Sequence, residues 1–132
     1  MLFIDSAVKL GDITDGTGNT LAIGERPPSP DFILGWWYAG WGQDQDGEAE
    51  MLLGTRTRNR YQRTPQCPRG PYDFAGGKLD NPCDAFHFWS LHPGGANFAF
   101  ADGSVRFLAY SANSVLPELS TRAGGEIASI PD

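Results

Sequence analysis

The segment from Phe86 to Leu108, FHFWSLHPGGANFAFADGSVRFL, constrains the fold most, because turn signals alternate in it with apolar runs. Asp102-Gly103 predicts a two-residue type I′ hairpin turn, in which both central residues have positive φ. Pairing outward from this turn predicts the opposed pairs Ala101–Ser104, Phe100–Val105, Ala99–Arg106 and Phe98–Phe107. The large apolar side chains of these pairs then share one face of the hairpin, while Ala99 and Arg106 share the other.

A second turn signal, Pro93-Gly94-Gly95, predicts that the preceding run, Phe86–His92, folds back as a third antiparallel strand. Further strands are predicted at Thr20–Gly24 and Phe32–Trp41. The predicted helical elements are a turn at Lys9–Asp15 that Gly16 stops, and a helix at Ser114–Ala123 with Ser114 as N-cap and Gly124 as αL stop. Together these elements predict a strand-rich α+β fold, built on an antiparallel sheet with short helices.

The composition favours one folded domain, residues 1–132, that contains many turns. Hydrophobic residues make up 40% and aromatic residues 12%, while 17 Gly and 10 Pro disfavour long helices. The formal net charge of −6 argues against binding to nucleic acid or to an anionic membrane surface. No apolar run reaches about 18 residues, so no segment of this sequence is predicted to span a bilayer.

Three stretches of the sequence resemble a large bacterial family of pilin-like proteins, and they follow that family's order. SLHPGGANFAFADGSVRF, which begins at Ser90, resembles the family's C-terminal His-x9-Asp-Gly signature. Asp12–Glu25, DITDGTGNTLAIGE, resembles its DGTSNT-(apolar)-GE stretch, with Gly18 where serine is usual. Thr121–Glu126, TRAGGE, resembles its C-terminal tail. Members begin with a prepilin-type cleavage and methylation segment, and the family is largely uncharacterised.

The resemblance implies the head domain of an exported pilin-like or pseudopilin-like subunit, with a structural or assembly role and no enzymatic activity. It implies a type II secretion or type IV pilus-related system, with other pilin-like subunits or secretion-machinery proteins as partners. The implied location is the periplasm or the cell surface, and the implied membrane anchor is a long N-terminal helix that this sequence lacks. We therefore expect an apolar groove on the domain that is partly open or is filled by Leu2-Phe3-Ile4.

The residues of the signature are predicted to hold turns. They are His92, Gly94, Gly95, Asn97, Asp102 and Gly103. Asp102 can adopt the αL conformation of its turn, and the ring nitrogens of His92 can cap the Pro-Gly-Gly turn. The alternative is a hydrolase with Ser90 as nucleophile, His92 as base and Asp102 as the group that orients the base. Against that alternative, Ser90 and His92 would lie about 6.6 Å apart along a strand, and the sequence has no Gly-x-Ser-x-Gly elbow.

The sequence contains two cysteines, Cys67 and Cys83, which bracket a loop rich in proline and glycine. Their spacing does not match a zinc site, which needs four ligands in paired short spacings. Because the resemblance implies an exported domain, we predict one disulfide that closes this loop, with two free thiols as the alternative. The chain-entropy model gives such a bond about 3 kcal/mol of stabilisation for a loop of about 15 residues.

Calcium is the ligand that the sequence favours most, because two loops are rich in oxygen donors. The first loop contains Asp12, Asp15, Thr17 and Asn19, and the second contains Asp44, Asp46, Glu48 and Glu50. The second loop is not an EF-hand, since its glycine directly follows the D-x-D sequence and it lacks the distant bidentate glutamate. Turn chemistry and surface charge are the alternative interpretation of both loops.

A cluster of aromatic residues suggests a different function. Trp36, Trp37 and Trp41 can form a platform that stacks on sugar rings, which would make the protein a surface-attached glycan-binding module. The alternative places these rings in the core, where aromatic side chains bury large areas. Exposure of the three rings distinguishes the two interpretations.

Overall fold

The computed structural model of the chain describes residues 7–28, 54–59, 65–126 and 128–131. An antiparallel sheet has the strand order β1-β2-β3, where β1 is Leu21–Gly24, β2 is Gly95–Phe100 and β3 is Val105–Ala109. Helical 3-10 turns lie at Leu10–Asp12, Thr17–Asn19, Pro82–Phe86 and Tyr110–Ser114, and a short α-helix, α1, spans Leu116–Leu119. The predicted strand-rich α+β class is confirmed. The predicted strand at Phe32–Trp41 and the segment Leu2-Phe3-Ile4 lie outside the described residues.

The β2–β3 hairpin forms where the sequence predicts it, but its loop is one residue longer than predicted. The Phe100 N–H donates to the Ser104 carbonyl (2.9 Å) and the Gly103 N–H donates to the Phe100 carbonyl (3.0 Å). Gly103 has φ of 84°, as in a three-residue loop that ends with a glycine in the left-handed region. The Asp-Gly dipeptide is therefore used in a different turn type from the predicted type I′.

The longer loop shifts the strand register by one residue, so the predicted pairs and shared face are wrong. Ala99 pairs with Val105 and Phe98 pairs with Arg106. Because neighbouring residues of a strand point to opposite faces, this shift moves every β3 side chain to the other side of the sheet. Val105 (66% exposed) and Phe107 (50% exposed) lie on the face opposite Phe98.

The third strand is β1, which pairs with β2, and the prediction of a strand at Phe86–His92 is wrong. Phe86 ends a 3-10 turn that Asn81 caps by accepting the Cys83 N–H (3.1 Å). The following residues approach the sheet through the bond from the Trp89 N–H to the Glu25 carbonyl (3.3 Å). Proline at the start of the turn and the side-chain cap explain the helical turn Pro82–Phe86, and the residues after it form bends rather than a strand.

The C-terminal helix is shorter than predicted. Residues Tyr110–Ser114 form a 3-10 turn, and α1 follows with Val115 rather than Ser114 at its N-cap. Pro117 lies in the first turn of α1, as predicted. The glycine with positive φ after the helix is Gly125 (78°), one residue beyond the predicted Gly124.

The hydrophobic core lies between one face of the sheet, here the inner face, and the elements around α1. Its buried members are Leu21, Phe74, Ala96, Phe98, Phe100, Leu108, Ala112, Leu116 and Leu119. The Phe98 ring meets the edges of Phe74 and Phe88 at centroid distances of 5.3 and 5.4 Å. Such aromatic pairs add to the stabilisation that burial of the rings provides.

The predicted disulfide between Cys67 and Cys83 is present in the structure. It closes a loop over a sequence separation of 16 residues. Tyr72, inside this loop, packs on Phe86 with ring centroids 5.2 Å apart, and its N–H pairs with the Thr57 carbonyl (2.9 Å). The loop is therefore attached to the core by ring packing as well as by the disulfide.

Candidate functional site

Two of the sequence stretches that the pilin-like resemblance singles out meet at Asp15. The Asp15 carboxylate accepts hydrogen bonds from the N–H groups of Gly124 (2.8 Å) and Gly125 (2.9 Å) and from the Thr121 hydroxyl (3.1 Å). The bond from the Gly125 N–H, supported by those from Gly124 and Thr121, lowers the pKa of Asp15 below its ordinary value. We call this arrangement the tail contact, because it fixes the C-terminal tail to the start of the described chain.

The same N-terminal stretch ends at Glu25, which binds the signature stretch. Glu25 Oε2 accepts bonds from the backbone N–H of Asn97 (2.8 Å) and from the Asn97 side-chain amide (3.2 Å). Glu25 Oε1 lies 3.5 Å from Nε2 of His92. The backbones also pair, because the Glu25 N–H donates to the Asn97 carbonyl (3.1 Å).

Ser90 performs the turn-capping role that the sequence suggested for His92. The Ser90 hydroxyl donates to the Gly95 carbonyl (2.7 Å) and accepts the His92 N–H (2.9 Å), which closes the Pro-Gly-Gly turn. The His92 ring points instead toward Glu25 and meets the edge of Phe107 at a centroid distance of 6.4 Å. Glu25, Ser90, His92 and Asn97 together form what we call the signature cluster.

Asp102 lies at the other end of β2, where it holds the hairpin loop. Its Oδ1 accepts the backbone N–H of Ser104 (2.8 Å), and its own N–H donates to the Thr17 carbonyl (3.1 Å). Ser104, whose N–H donates to this carboxylate, lowers the pKa of Asp102, and the charge of Arg106 lowers it further. The left-handed φ that the sequence suggested for Asp102 belongs to Gly103.

The geometry does not bring together the residues of the hydrolase alternative. Ser90 and His92 precede β2 and Asp102 follows it, so the length of a six-residue strand, about 20 Å, separates the aspartate from the pair. The Ser90 hydroxyl donates to a backbone carbonyl rather than to an imidazole nitrogen. A Ser-His-Asp triad needs the histidine in direct contact with both the serine and the aspartate.

The signature cluster borders an exposed apolar surface, which we call the outer face of the sheet. Ile23, Ala99 and Val105 lie opposite one another across β1, β2 and β3. Ile23 is 67% exposed, and Phe107 extends the surface toward His92. Gly95 makes room for Phe107, because a Cβ at Gly95 would lie 2.8 Å from Cζ of that ring. The solvated face of an antiparallel sheet is usually polar, whereas the outer face of this sheet carries several exposed apolar side chains.

A family model described as "Protein of unknown function (DUF1559)" matches residues 1–114. The chain belongs to this family. No curated protein and no solved structure matches the chain. The residues matched by the DUF1559 model include those of β1, β2, β3 and the signature cluster.

The structure of this DUF1559 chain describes the first of the two predicted calcium loops. The Asp12 carboxylate accepts the Lys9 N–H (2.9 Å), while Asp15 is engaged in the tail contact and the Asn19 amide donates to the Asp15 carbonyl (3.4 Å). Within the described residues, no group of three or more His, Cys, Asp or Glu side chains is placed to hold a metal ion. The second predicted loop, with Asp44, Asp46 and Glu48, lies outside the described residues, as do Trp36, Trp37 and Trp41.

Sequence reasoning missed one buried polar network in the DUF1559 chain. His87 Nε2 lies 3.0 Å from Asp84 Oδ1, and its Nδ1 lies 3.1 Å from the Phe88 carbonyl. The Trp89 indole donates to the Asp84 carbonyl (2.9 Å). Burial, together with the charge of Asp84, raises the pKa of Tyr72, whose ring stacks on His87. The Asn81-Pro82 start of the turn was the available signal, since it predicts a cap and a helical turn that places Asp84 next to His87.

Among the described residues of this family member, no helix is both long and apolar enough to cross a membrane.

Proposed function

We propose that this DUF1559 chain is the head domain of an exported, pilin-like subunit that has a structural or assembly role. The observation that carries the proposal is the apolar outer face of the sheet. Ile23, Val105 and Phe107 expose 67%, 66% and 50% of their surface there. Fully burying each such side chain stabilises a protein by about 1.5–3 kcal/mol, so a helix laid across this face would gain substantial free energy.

The arrangement of the polar signature residues supports a structural role. Ser90 and Asn97 hydrogen-bond groups of this same chain, and Asp102 holds its own loop. In the catalytic alternative, a nucleophile would face a base and an open position for a substrate. We therefore propose that the signature maintains the sheet and its turns, and that no catalysis takes place there.

The disulfide supports the proposed export. Disulfides persist in secreted and periplasmic proteins and are rare in the reducing cytosol. The Cys67–Cys83 bond fits a domain that matures outside the cytosol, in the periplasm or at the cell surface. On this proposal the partners are other pilin-like subunits or proteins of a secretion machinery, and the membrane is reached through an N-terminal helix.

Mass spectrometry of the N-terminus of the native protein, isolated from its source cells, tests the proposal. We expect a processed, N-methylated terminus followed by about 20 apolar residues, which is the length that spans a bilayer. A native protein that begins at Met1, without processing or an apolar helix, would contradict the pilin-like role. The glycan-binding interpretation would then be tested by titrating oligosaccharides while tryptophan fluorescence is recorded.

A further inference from the structure

We propose that the edge of β3 that no other described strand covers pairs with the β3 edge of a second copy of this chain. The pairing would join two three-stranded sheets into one continuous antiparallel sheet across a two-fold axis at Phe107. This inference concerns the strand edge and does not depend on the pilin-like role. Edge strands present a row of unpaired backbone groups, which makes them templates for another strand.

The backbone bonds of the hairpin determine which groups face outward from β3. Phe100 pairs with Ser104 and Gly94 pairs with Tyr110 through bonds of 2.9 Å. In an antiparallel ladder the bonded residues alternate, so Val105 and Phe107 direct their N–H and C=O groups away from β2. Among the described residues, no hydrogen bond reaches these outward groups.

The edge of β3 lacks the features that usually prevent strand pairing, whereas β1 has them. The register of β1 shifts between Leu21 and Ile23, as in a bulge, and Pro27 and Pro28 follow the strand. Strand β3 contains no proline, and its ladder with β2 is regular. Its one charged residue, Arg106, lies 4.2 Å above the Phe100 ring and so turns toward the inner face.

The length of β3 and the charge of Arg106 together select the register in which two copies pair. A two-fold axis at Phe107, the middle residue of Val105–Ala109, pairs all five residues of the strand. If Val105 paired with Phe107 of the second copy, Arg106 would face Arg106 of the second copy, and opposed like charges destabilise a sheet. Pairing Phe107 with Phe107 instead places each Arg106 opposite a leucine, Leu108, and each Val105 opposite Ala109. Every opposed pair in that register is free of like charges. A second copy is therefore a suitable occupant for this edge.

The proposed pairing predicts a specific covalent cross-link. Bonded partners in an antiparallel pair have Cα atoms about 5.5 Å apart, which lies within the disulfide range of about 4.4–6.8 Å. We expect oxidised Phe107→Cys to form a disulfide-linked dimer on non-reducing electrophoresis. Val105→Cys is the matched control, because its two copies would lie four strand positions apart, about 13 Å. It should cross-link severalfold less.

Sedimentation equilibrium of the unmodified chain provides a second measurement that does not depend on cysteine variants. We expect a reversible dimer, and we expect Val105→Pro to abolish it, because proline removes an outward N–H while leaving the bonds to β2 intact. If circular dichroism shows that the proline variant is unfolded, Val105→Lys replaces it, because a lysine on an edge strand disfavours pairing with another strand. We expect Val105→Lys to abolish the dimer as well.

A chain that stays monomeric at its highest soluble concentration would overturn the inference. Equal cross-linking of the two cysteine variants would also overturn it, because it would indicate association through the outer face or non-specific contact. Either result leaves the processing of the native N-terminus, which tests the pilin-like role, unaffected. The two proposals therefore fail separately.

Discussion

At the scale of single residues, Asp15 and Glu25 connect parts of the chain that are distant in sequence. Asp15 bonds to Gly124 across 109 positions, and Glu25 bonds to Asn97 across 72 positions. Both carboxylates accept backbone N–H groups, and hydrogen bonds to a charged acceptor are stronger than neutral ones. These two residues therefore attach the N-terminal stretch to the rest of the fold.

Replacement of Asp15 by asparagine should change the response of stability to acid. The lowered pKa of Asp15 means that its contribution is fully present above the unfolded-state value of about 3.9 and is lost as the pH falls through the folded value. We expect Asp15→Asn to lower Tm at neutral pH and to flatten the decline of Tm in acid. Thermal melts from neutral to acidic pH measure both effects.

The matched control for that experiment is Asp80→Asn, which changes an exposed aspartate. It should reproduce the wild-type pH profile. If Asp15→Asn also reproduced that profile and the wild-type Tm, the tail contact would not contribute to stability in solution.

Within the signature cluster, Glu25 should matter more for stability than His92. Removing the Glu25 carboxylate leaves the half-buried Asn97 N–H without its 2.8 Å acceptor, which should cost about 1 kcal/mol or more, the lower part of the range for a fully buried donor. His92 is 55% exposed and contacts Glu25 at 3.5 Å, so its pairing is worth about 0–1 kcal/mol. Urea unfolding of Glu25→Ala and His92→Ala compares them. A larger loss for His92→Ala would contradict this assignment of roles.

At the scale of elements, the hairpin illustrates how far sequence reasoning reaches. Asp102-Gly103 correctly predicts where the chain turns, because few residues tolerate the backbone angles required there. The same dipeptide suits both two-residue and three-residue loops, so it does not determine the register. Tertiary packing decides it: Leu108, 1% exposed, belongs in the core, and Phe107 packs over Gly95. Local turn chemistry does not contain that information.

Only part of the candidate site could be predicted from the sequence, again because some of its contacts depend on tertiary structure. The stretch that ends at Glu25 and the signature around His92 were both singled out, but the bond between Glu25 and Asn97 was not. Strand β1 pairs with β2, so Glu25 reaches Asn97 only after the sheet has formed. Contacts between segments this distant depend on strand pairing, which no local pattern specifies.

Gly95→Ala should destabilise the sheet. A Cβ at this position would lie 2.8 Å from the Phe107 ring and would also collide with the Leu108 carbonyl. Overpacking of this kind typically costs about 1–3 kcal/mol, and chemical denaturation measures it. Gly11→Ala is the control, since nothing lies within 4 Å of a Cβ built there. Equal stability of the two variants would contradict the packing of Phe107 on Gly95.

At the scale of the whole molecule, the disulfide loop is joined to the sheet through the core. Phe74 follows the loop residue Tyr72 closely and packs on both Phe98 and Tyr110, with ring centroids 5.3 and 4.9 Å apart. The Phe74 N–H also donates to the Asn113 side chain (2.9 Å). Opening the loop should therefore weaken the packing of the sheet as well as free the chain between the cysteines.

The double variant Cys67→Ala/Cys83→Ala tests this coupling. The closed loop has a sequence separation of 16 residues, for which loss of the cross-link costs about 3 kcal/mol. We expect urea unfolding to show that loss, and wild-type protein in reducing agent should match the variant. If neither treatment lowered the free energy of unfolding, the loop would not be coupled to the global transition.

The pairing of β1 with β2 has a consequence for the order of events during synthesis. Leu21 lies opposite Phe100, so β1 has no sheet partner until nearly eighty further residues have been made. The tail contact then needs Gly125, which is made after all three strands of the sheet. Contacts between such distant residues form slowly, because closing the long intervening loop costs conformational entropy before the contact stabilises it. During synthesis, β1 therefore waits for its strand partner while the whole disulfide loop between the two strands is made.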